Sequence, residues 1–389
     1  MNFLTLTPLE CSLLIGLGAF FLIQLLYYVI LYNRLHRQSV AEKKGRIKYA
    51  DTYAPLSIII SAKDAAGWLR TNLPAVLKQD YPCYEVIVVN DGSVDDTEEV
   101  LKLLENEYPH LYHTFTPEAT RHVSRKKLSL TLGIRAAKYD WLVFTEPNCY
   151  PVSNDWLKSL ARNFTPGTDI VLGYSNYTKE KGWFNRKIMF DLLFQSMRFL
   201  GCALLKRPYM GMGSNMAYRK ELYFRDRGYS SHLYLQRGED DLFINQMATS
   251  TNTRVECSAA SVVRILPPKY KKTWVEDKIG HVATGHLYKG LQRLMMGLES
   301  GSRYVFLLGC FALCLHAVYY QHWLVGIIAL LLWAVRYVCQ LLTFRSISIE
   351  LGERRYAASL LLFDFLQPLW DIRYKLLWLF RRKSEFMRR

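Results

Sequence analysis

Short apolar runs alternate with helix-periodic segments from residue 56 onward. The short runs are residues 56–61, 84–89, 141–146 and 170–175. They are largely apolar and bounded by turn or charged residues, and residues 86–89 are all β-branched, which is typical of buried strands in a parallel sheet. Residues 254–265 have the character of a fifth strand. Helical patterns, such as those at residues 68–79 and 95–107, separate the strands and predict βαβ units with a mostly parallel sheet.

Longer uncharged runs predict three membrane-spanning helices. Residues 11–32 are 22 positions without a charge, and a bilayer core of about 30 Å needs roughly 20. Residues 304–320 and 323–344 follow the same pattern, and the two positions between them predict a tight hairpin. A basic cluster follows the first run and none precedes it. We therefore expect residue 33 onward to be cytoplasmic and the first run not to be a signal peptide.

Charged residues change the interpretation of the third span and of two further apolar segments. Arg336 lies inside the third span, where we expect its side chain to snorkel toward the cytosolic interface. Residues 356–380 contain Asp364 and Asp371, so we favour an interfacial or re-entrant segment there. Residues 183–205 are apolar but charged, which predicts a helix on the membrane surface or against the cytosolic domain.

The chain is therefore predicted to have five parts. These are an N-terminal transmembrane anchor with a basic juxtamembrane segment (1–48), an α/β domain (49–268), an amphipathic interfacial segment (269–302), a transmembrane hairpin (303–345), and an interfacial or re-entrant segment with a basic cytosolic tail (346–389). We expect a multi-pass protein of the inner (plasma) membrane with its α/β domain in the cytoplasm.

Composition and charge agree with a membrane enzyme. Half of the 389 residues are hydrophobic, and 26 Tyr and 9 Trp supply interfacial aromatic groups. The formal net charge is +16, and +9 of it lies in residues 33–48 and 381–389. This placement indicates anionic lipid rather than a nucleic-acid groove, and no nucleic-acid recognition motif accompanies it. We expect membrane lipids, and no nucleic acid, as partners.

Polar residues collect where the predicted strands end. They are Lys63, Asp64, Asp91, Glu146 and Asn148, joined by Lys126 or Lys127 and by the pair Glu239 and Asp240. In open α/β sheets, ligands bind beyond the carboxyl ends of the strands. Hard oxygen ligands there suit Mg²⁺ or Mn²⁺ bridging a diphosphate, and a separate carboxylate can take a proton from an attacking hydroxyl. Sugar transfer from a nucleotide-sugar requires this combination.

The order of these motifs resembles the membrane-embedded branch of the family 2 glycosyltransferases. The resemblance covers roughly residues 55–295, and the flanking spans match that branch. Its motifs are Ser61-Ala-Lys-Asp64, Asn90-Asp-Gly-Ser93, Arg125-Lys-Lys-Leu-Ser-Leu, Phe144-Thr-Glu-Pro-Asn-Cys-Tyr-Pro151, Gly213-Ser-Asn-Met-Ala-Tyr-Arg219 and Gly238-Glu-Asp240. The fold that it implies is α/β: a GT-A (Rossmann-like, mostly parallel sheet) cytosolic domain with flanking transmembrane helices.

The resemblance also implies residue roles and an inverting reaction. Nucleotide-sugar contacts fall on Ala62, Lys63, Asp64, Asp91, Lys126 and Lys127, metal contacts on Glu146 and Asn148, acceptor contacts on Gly213, Asn215 and Glu239, and the general base on Asp240. The expected enzyme is a hexosyl- or N-acetylhexosaminyltransferase that needs Mg²⁺ or Mn²⁺. A UDP-sugar is the favoured donor, and a lipid-linked or polysaccharide (glycan) acceptor is expected at the cytosolic membrane face.

Three positions depart from the family pattern. Ala65 stands where the family usually has glutamate, and Asn148 replaces the second aspartate of the DxD metal motif. The QxxRW motif of processive members is absent, with Gly280 where its arginine would lie. We therefore expect non-processive, one-sugar transfer. The phosphate contacts of the missing arginine are expected from Lys269, Lys271, Lys272 or Lys278. We expect His281 and His286 to pack at the membrane surface. The alternative is a catalytically inactive glycosyltransferase-like scaffold or partner subunit.

Overall fold

The structure is a computed structural model that describes residues 6–117 and 124–381. The basic tail predicted to be cytosolic lies, from residue 382 onward, outside the described residues. The chain divides into two compact units. The first combines Met1–Gln38 with Gly290–Arg373, and the second combines Ser39–Lys289 with Tyr374–Arg389.

The described residues form thirteen α-helices and ten strands. The helices are α1 (Pro8–Leu26), α2 (Arg34–Lys43), α3 (Ala66–Leu77), α4 (Thr97–Glu107), α5 (Arg125–Ala136), α6 (Trp156–Ala161), α7 (Trp183–Leu204), α8 (Lys220–Arg225), α9 (Asp241–Met247), α10 (Lys271–Gly285), α11 (Gln292–Tyr319), α12 (Trp323–Glu350) and α13 (Ala357–Leu379). The strands are β1 (Leu56–Ala62), β2 (Tyr84–Asn90), β3 (Leu111–Phe115), β4 (Trp141–Phe144), β5 (Cys149–Pro151), β6 (Ile170–Gly173), β7 (Ser175–Tyr177), β8 (Met216–Arg219), β9 (Thr253–Glu256) and β10 (Val263–Ile265).

A seven-stranded sheet forms the centre of the second unit, in the order β3-β2-β1-β4-β8-β6-β9. Strand β1 runs parallel to both β2 and β4, pairing Ile58 with Val86 and with Val143. Strand β8 runs antiparallel to its neighbours β4 and β6, and the other pairs are parallel. The buried residues of β1 and β2 form the core with α3 and α4. The mostly parallel α/β fold predicted from the sequence is confirmed.

A second, three-stranded sheet has the order β5-β10-β7 and corrects one predicted strand. The single strand expected over residues 254–265 is wrong: β9 belongs to the large sheet and β10 to the small one. A 3₁₀ turn at Ala259–Ser261 separates them, closed by the Ser261 N–H, which donates to the Ser258 carbonyl at 3.1 Å. The run at 170–175 divides in the same way into β6 of the large sheet and β7 of the small sheet. The chain therefore passes from the large sheet to the small one after β6 and after β9.

The first unit contains helices that fit the predicted membrane spans. Helix α1 with its continuation to Lys43, helix α11 and helix α12 are each long and apolar enough to cross a bilayer. Their mutual packing buries Leu17 of α1, Phe306 of α11, and Val325 and Ala329 of α12. The segment for which we predicted an interfacial or re-entrant course is one continuous helix, α13.

Arg336 does not snorkel, and that expectation is wrong. Its side chain is 1% exposed and makes a two-pronged ion pair with Asp364 of α13, at 2.6 and 3.1 Å. A weaker bond of 3.3 Å reaches Gln24 of α1. The attraction to a buried carboxylate partner offsets the desolvation cost that would make an unpaired guanidinium leave an apolar region.

Candidate active site

A cavity of about 670 Å³ in the second unit gathers half of the residues predicted to form the site. Its walls include Lys126, Glu146, Asn148, Gly213, Glu239 and Asp240. Pockets of about 300–1,000 Å³ are typical for small-molecule ligands. The other six predicted residues are not among those that line it: Ala62, Lys63, Asp64, Asp91, Lys127 and Asn215. The residues brought together come from four separate stretches of the chain.

A β-turn after strand β4 presents Glu146 and Asn148 to the cavity. The Cys149 N–H donates to the Glu146 carbonyl at 2.9 Å, which closes a four-residue turn with Pro147 at its second position. The Asn72 amide of α3 donates to the Pro147 carbonyl at 3.0 Å. The turn therefore fixes a carboxylate and an amide oxygen two residues apart on the cavity wall.

Lys126, in the first turn of α5, links two carboxylates across the cavity. Its ammonium lies 2.7 Å from Glu146 and 2.7 Å from Glu239. Burial would lower the pKa of Lys126, but these carboxylates raise it well above its usual value. Burial would likewise raise the pKa of Glu239, but the Lys126 ammonium lowers it to about 2. The Lys126 ammonium and the Glu239 carboxylate are therefore both charged at neutral pH.

Three consecutive acids, Glu239, Asp240 and Asp241, have different surroundings. Asp241 is buried and accepts hydrogen bonds from the hydroxyls of Thr284 (2.5 Å) and Tyr288 (2.8 Å). Among the described residues, Asp240 accepts only backbone bonds, from Gly213 at 2.8 Å and from Asp241 at 2.7 Å. Burial, followed by the neighbouring Glu239 charge, raises the pKa of Asp240 to about 7. Asp240 is thus a fixed carboxylate that can exchange a proton near neutral pH.

Lys127 and Asn215 have structural contacts instead of a place in the cavity. The buried Lys127 ammonium donates to the carbonyls of His232 (2.5 Å), Leu235 (3.1 Å) and Arg237 (2.8 Å). It therefore anchors the loop that leads to Asp240, and of the two neighbouring lysines only Lys126 faces the cavity. Asn215 is fully buried and bonds Trp156 and the carbonyls of Tyr174 and Ser261.

The remaining predicted residues form a polar edge at the carboxyl ends of β1 and β2. The buried Asp91 carboxylate accepts from Arg125 at 3.0 Å. Asp64 joins the two turns, because its N–H donates to the Ser93 hydroxyl at 2.9 Å and its carboxylate accepts from the Val94 N–H at 2.8 Å. Ala62 is buried, and its carbonyl accepts from the Asp91 N–H at 2.7 Å, while Lys63 is exposed.

The cavity residues that were not assigned to the site from the sequence include Arg237, Trp274 and His281. Contrary to the expectation of membrane-surface packing, His281 lines the cavity, where burial and the nearby Arg237 lower its pKa to about 3. Of the four lysines proposed as phosphate contacts, Lys269 and Lys278 line the cavity. The departure at Gly280 and the lysines proposed near it drew attention to this part of α10, but they did not indicate that the Arg237 side chain would pack against the glycine.

Comparison with known proteins gives matches to glycosyltransferases. Residues 57–224 match the model of glycosyl transferase family 2. An uncharacterized glycosyltransferase of Escherichia coli (strain K12), YibD, is 28% identical over 106 residues, which are 27% of this chain and 30% of that protein. An uncharacterized glycosyltransferase of Rickettsia typhi is 47% identical over 51 residues, 13% of this chain and 16% of that protein. The matches thus cover less than a third of either relative.

The solved structures extend the likeness beyond these local matches. The mannosyltransferase PcManGT from Pyrobaculum calidifontis, in complex with GDP-Man and Mn²⁺, superimposes with a TM-score of 0.53 at 16% identity. The alignment covers 87% of this chain and 98% of that one, and at this identity it shows a shared fold. Residues 57–224 are thus a family 2 glycosyltransferase domain, and the chain shares the fold of that mannosyltransferase.

Proposed function

We propose that this chain transfers one sugar at a time from a nucleotide-sugar donor to an acceptor hydroxyl, with inversion at the anomeric carbon. The observation that carries the proposal is Asp240, a carboxylate on the cavity wall with a pKa of about 7. It lies in the same cavity as the Lys126, Glu146 and Glu239 cluster. A base, and beside it a lysine and carboxylates that can hold a metal ion at a diphosphate, are the two parts that this reaction needs.

The reaction is a single displacement. Asp240 takes the proton of the acceptor hydroxyl while the acceptor oxygen bonds to the anomeric carbon. The bond from that carbon to the diphosphate oxygen breaks, and its electron pair leaves with the nucleoside diphosphate. The backbone bonds from Gly213 and Asp241 hold the carboxylate in place. Glu239 has one buried oxygen without a described partner, which suits a hydrogen bond from a hydroxyl of the acceptor.

Glu146 and Asn148 fit a divalent cation that the donor helps to bind. No group of three or more His, Cys, Asp or Glu among the described residues could hold a metal alone. Mg²⁺ bound with phosphates commonly uses one or two protein oxygens and water, and the turn offers one carboxylate and one amide oxygen. Mg²⁺ or Mn²⁺ held there would neutralise charge on the departing diphosphate. The Mn²⁺ in the complex of PcManGT supports this assignment.

The nucleoside is assigned to the turns after β1 and β2, and the acceptor to the Gly213 side of the cavity. Asp91, Asp64, Lys63 and Ala62 follow the carboxyl ends of two parallel strands, where α/β folds bind nucleotides. Three helices that fit a bilayer support a membrane location with a lipid-linked or glycan acceptor at the cytosolic face. We favour a hexose or N-acetylhexosamine as the sugar and UDP as its carrier.

Donor-dependent nucleotide release tests this function. Full-length protein in detergent, with membrane lipid extract added, should release the free nucleotide from one of a panel of UDP- and GDP-sugars. The GDP-sugars belong in the panel because PcManGT was captured with GDP-Man. Release should require Mg²⁺ or Mn²⁺ and stop with EDTA. No release from any donor, with or without the extract, would contradict the proposal.

The pH dependence of the rate is a second expected result. Asp240 must be deprotonated to accept a proton, and its pKa is raised to about 7. The rate at saturating donor should therefore rise with pH through about 7, with a slope of one on a logarithmic plot, because protonation below that value removes the base. A profile that is flat from about pH 5 to pH 8 would contradict Asp240 as the titrating base.

The alternative, an inactive scaffold or partner subunit, is favoured by one observation. The Lys126 ammonium already pairs with the Glu146 carboxylate, the group that we assign to a metal. Nucleotide binding that neither needs a metal nor leads to turnover, even with lipid extract present, would favour this alternative.

A further inference from the structure

Helix α10 has a glycine where it passes the side chain of Arg237. A β-carbon built on Gly280 would lie 2.5 Å from both Cδ and Nε of Arg237 and 3.1 Å from its Cζ. Contacts below about 3.0 Å force a rearrangement, and Gly280 is buried, so a larger residue there would displace the guanidinium stem. The glycine is therefore what allows Arg237 to occupy this part of the cavity wall.

The guanidinium of Arg237 is oriented by one ion pair and keeps further N–H donors that can bind a ligand. Asp277, one turn before Gly280 on the same helix, pairs with Nη2 of Arg237. The Arg237 side chain is 41% exposed and lines the cavity. Among the described residues, this ion pair is its one side-chain hydrogen bond, which leaves Nε, Nη1 and the second hydrogen of Nη2 as donors. Its backbone is fixed as well, because the Arg237 carbonyl accepts from Lys127 at 2.8 Å.

The other cations near the cavity are either paired with carboxylates or exposed on its rim. Lys126 bridges Glu146 and Glu239. Lys278 is 16% exposed and contacts both Asp191 and the Gln195 amide. Lys269 is exposed on the cavity rim beside the ring of Tyr270. Arg237 thus combines a fixed position, a planar set of donors and access to the cavity, which is the arrangement that binds phosphate oxygens in pairs.

We propose that Arg237 binds the diphosphate of the donor and of the departing nucleoside diphosphate, and that Gly280 makes room for it. This inference rests on the proposed function and adds a binding residue to the same cavity. When the bond to the sugar breaks, the diphosphate gains a negative charge, and a guanidinium already oriented by Asp277 stabilises that charge without moving. Lys269 and Lys278, which we considered as phosphate contacts, then make only secondary contacts with the diphosphate.

Nucleotide titrations on the full-length protein in detergent test the inference. Calorimetry would compare UDP with UMP and GDP with GMP, at one Mg²⁺ concentration, for the wild type, Arg237→Gln, Arg237→Lys, Gly280→Ala and Gly285→Ala. In Arg237→Gln, we expect the diphosphate to bind about tenfold to a hundredfold more weakly and the monophosphate nearly as before. Arg237→Lys should recover only part of the loss, because an ammonium cannot make paired bonds.

Gly280→Ala should weaken diphosphate binding in the same direction, because its β-carbon displaces Arg237. Gly285→Ala is the matched control, since it lies on the same helix and its β-carbon would meet only Tyr288, at 3.8 Å. Alanine favours a helix over glycine by about 1 kcal/mol, so neither variant should unfold the helix.

The outcomes separate this inference from the proposed function. If the wild type binds no diphosphate or monophosphate, the proposed function fails and this inference fails with it. If the wild type binds UDP or GDP and Arg237→Gln keeps the same preference for diphosphate over monophosphate, only Arg237 is excluded. Equal losses in Gly280→Ala and Gly285→Ala would overturn the role given to Gly280.

Discussion

Replacing Asp240 with asparagine should abolish sugar transfer while nucleotide binding survives. The variant keeps the size of the side chain and removes the group that accepts the acceptor proton. General-base catalysis contributes about a hundredfold to ten-thousandfold, and the rate should fall by at least that factor. Nucleotide release under saturating donor measures the loss, and calorimetry with UDP or GDP measures the binding that remains.

The hydrogen bonds of Asp240 determine which controls the Asp240→Asn experiment needs. Both of its oxygens accept backbone hydrogen bonds, from Gly213 and from Asp241, and an asparagine can accept only through one. Some loss of thermal stability is therefore expected, and intact nucleotide affinity is the evidence that the cavity is still formed. Asp51→Asn, at an exposed position in the linker before β1, is the matched control and should leave the rate unchanged. Undiminished turnover in Asp240→Asn would exclude the base role.

Local sequence patterns predicted the parts of the fold in which neighbouring residues decide the structure. Strands β1, β2 and β4 are apolar runs followed by turn residues, and a run of this kind is buried whatever packs around it. Glu146 follows β4 and Asp240 caps a helix, so both could be placed beyond an element end. The six predicted residues that line the cavity all belong to motifs with this local character.

The features that the sequence pattern did not predict depend on contacts between segments that are far apart in the chain. Lys126 and Lys127 are neighbours on α5, yet one faces the cavity and the other is buried under a loop more than a hundred residues away. The position of Arg237 depends on a missing side chain at Gly280, in another element. Strand β8 runs antiparallel between β4 and β6, and nothing in its four residues specifies which strands it joins.

The Arg336 and Asp364 pair gives the largest expected effect on stability. Four hydrogen bonds among Arg336, Asp364, Gln24 and Gln340 connect α1, α12 and α13 within the apolar first unit. In Arg336→Leu, the Asp364 carboxylate loses both guanidinium bonds and keeps, among the residues that the structure describes, only the Gln340 amide, at 3.0 Å. Breaking a buried ion pair from one side costs about 3–5 kcal/mol, and we expect the midpoint of thermal unfolding in detergent to fall sharply.

The double variant Arg336→Leu/Asp364→Leu distinguishes an uncompensated charge from lost packing. Replacing both partners with apolar residues is often close to neutral, so the double variant should be more stable than Arg336→Leu alone. Arg345→Leu, at an exposed position on the same helix, is the control and should change the free energy of unfolding by about 0.5 kcal/mol or less. If the double variant is no more stable than the single one, the unpaired Asp364 carboxylate is not the source of the cost, and the cost arises from the lost packing of the arginine side chain.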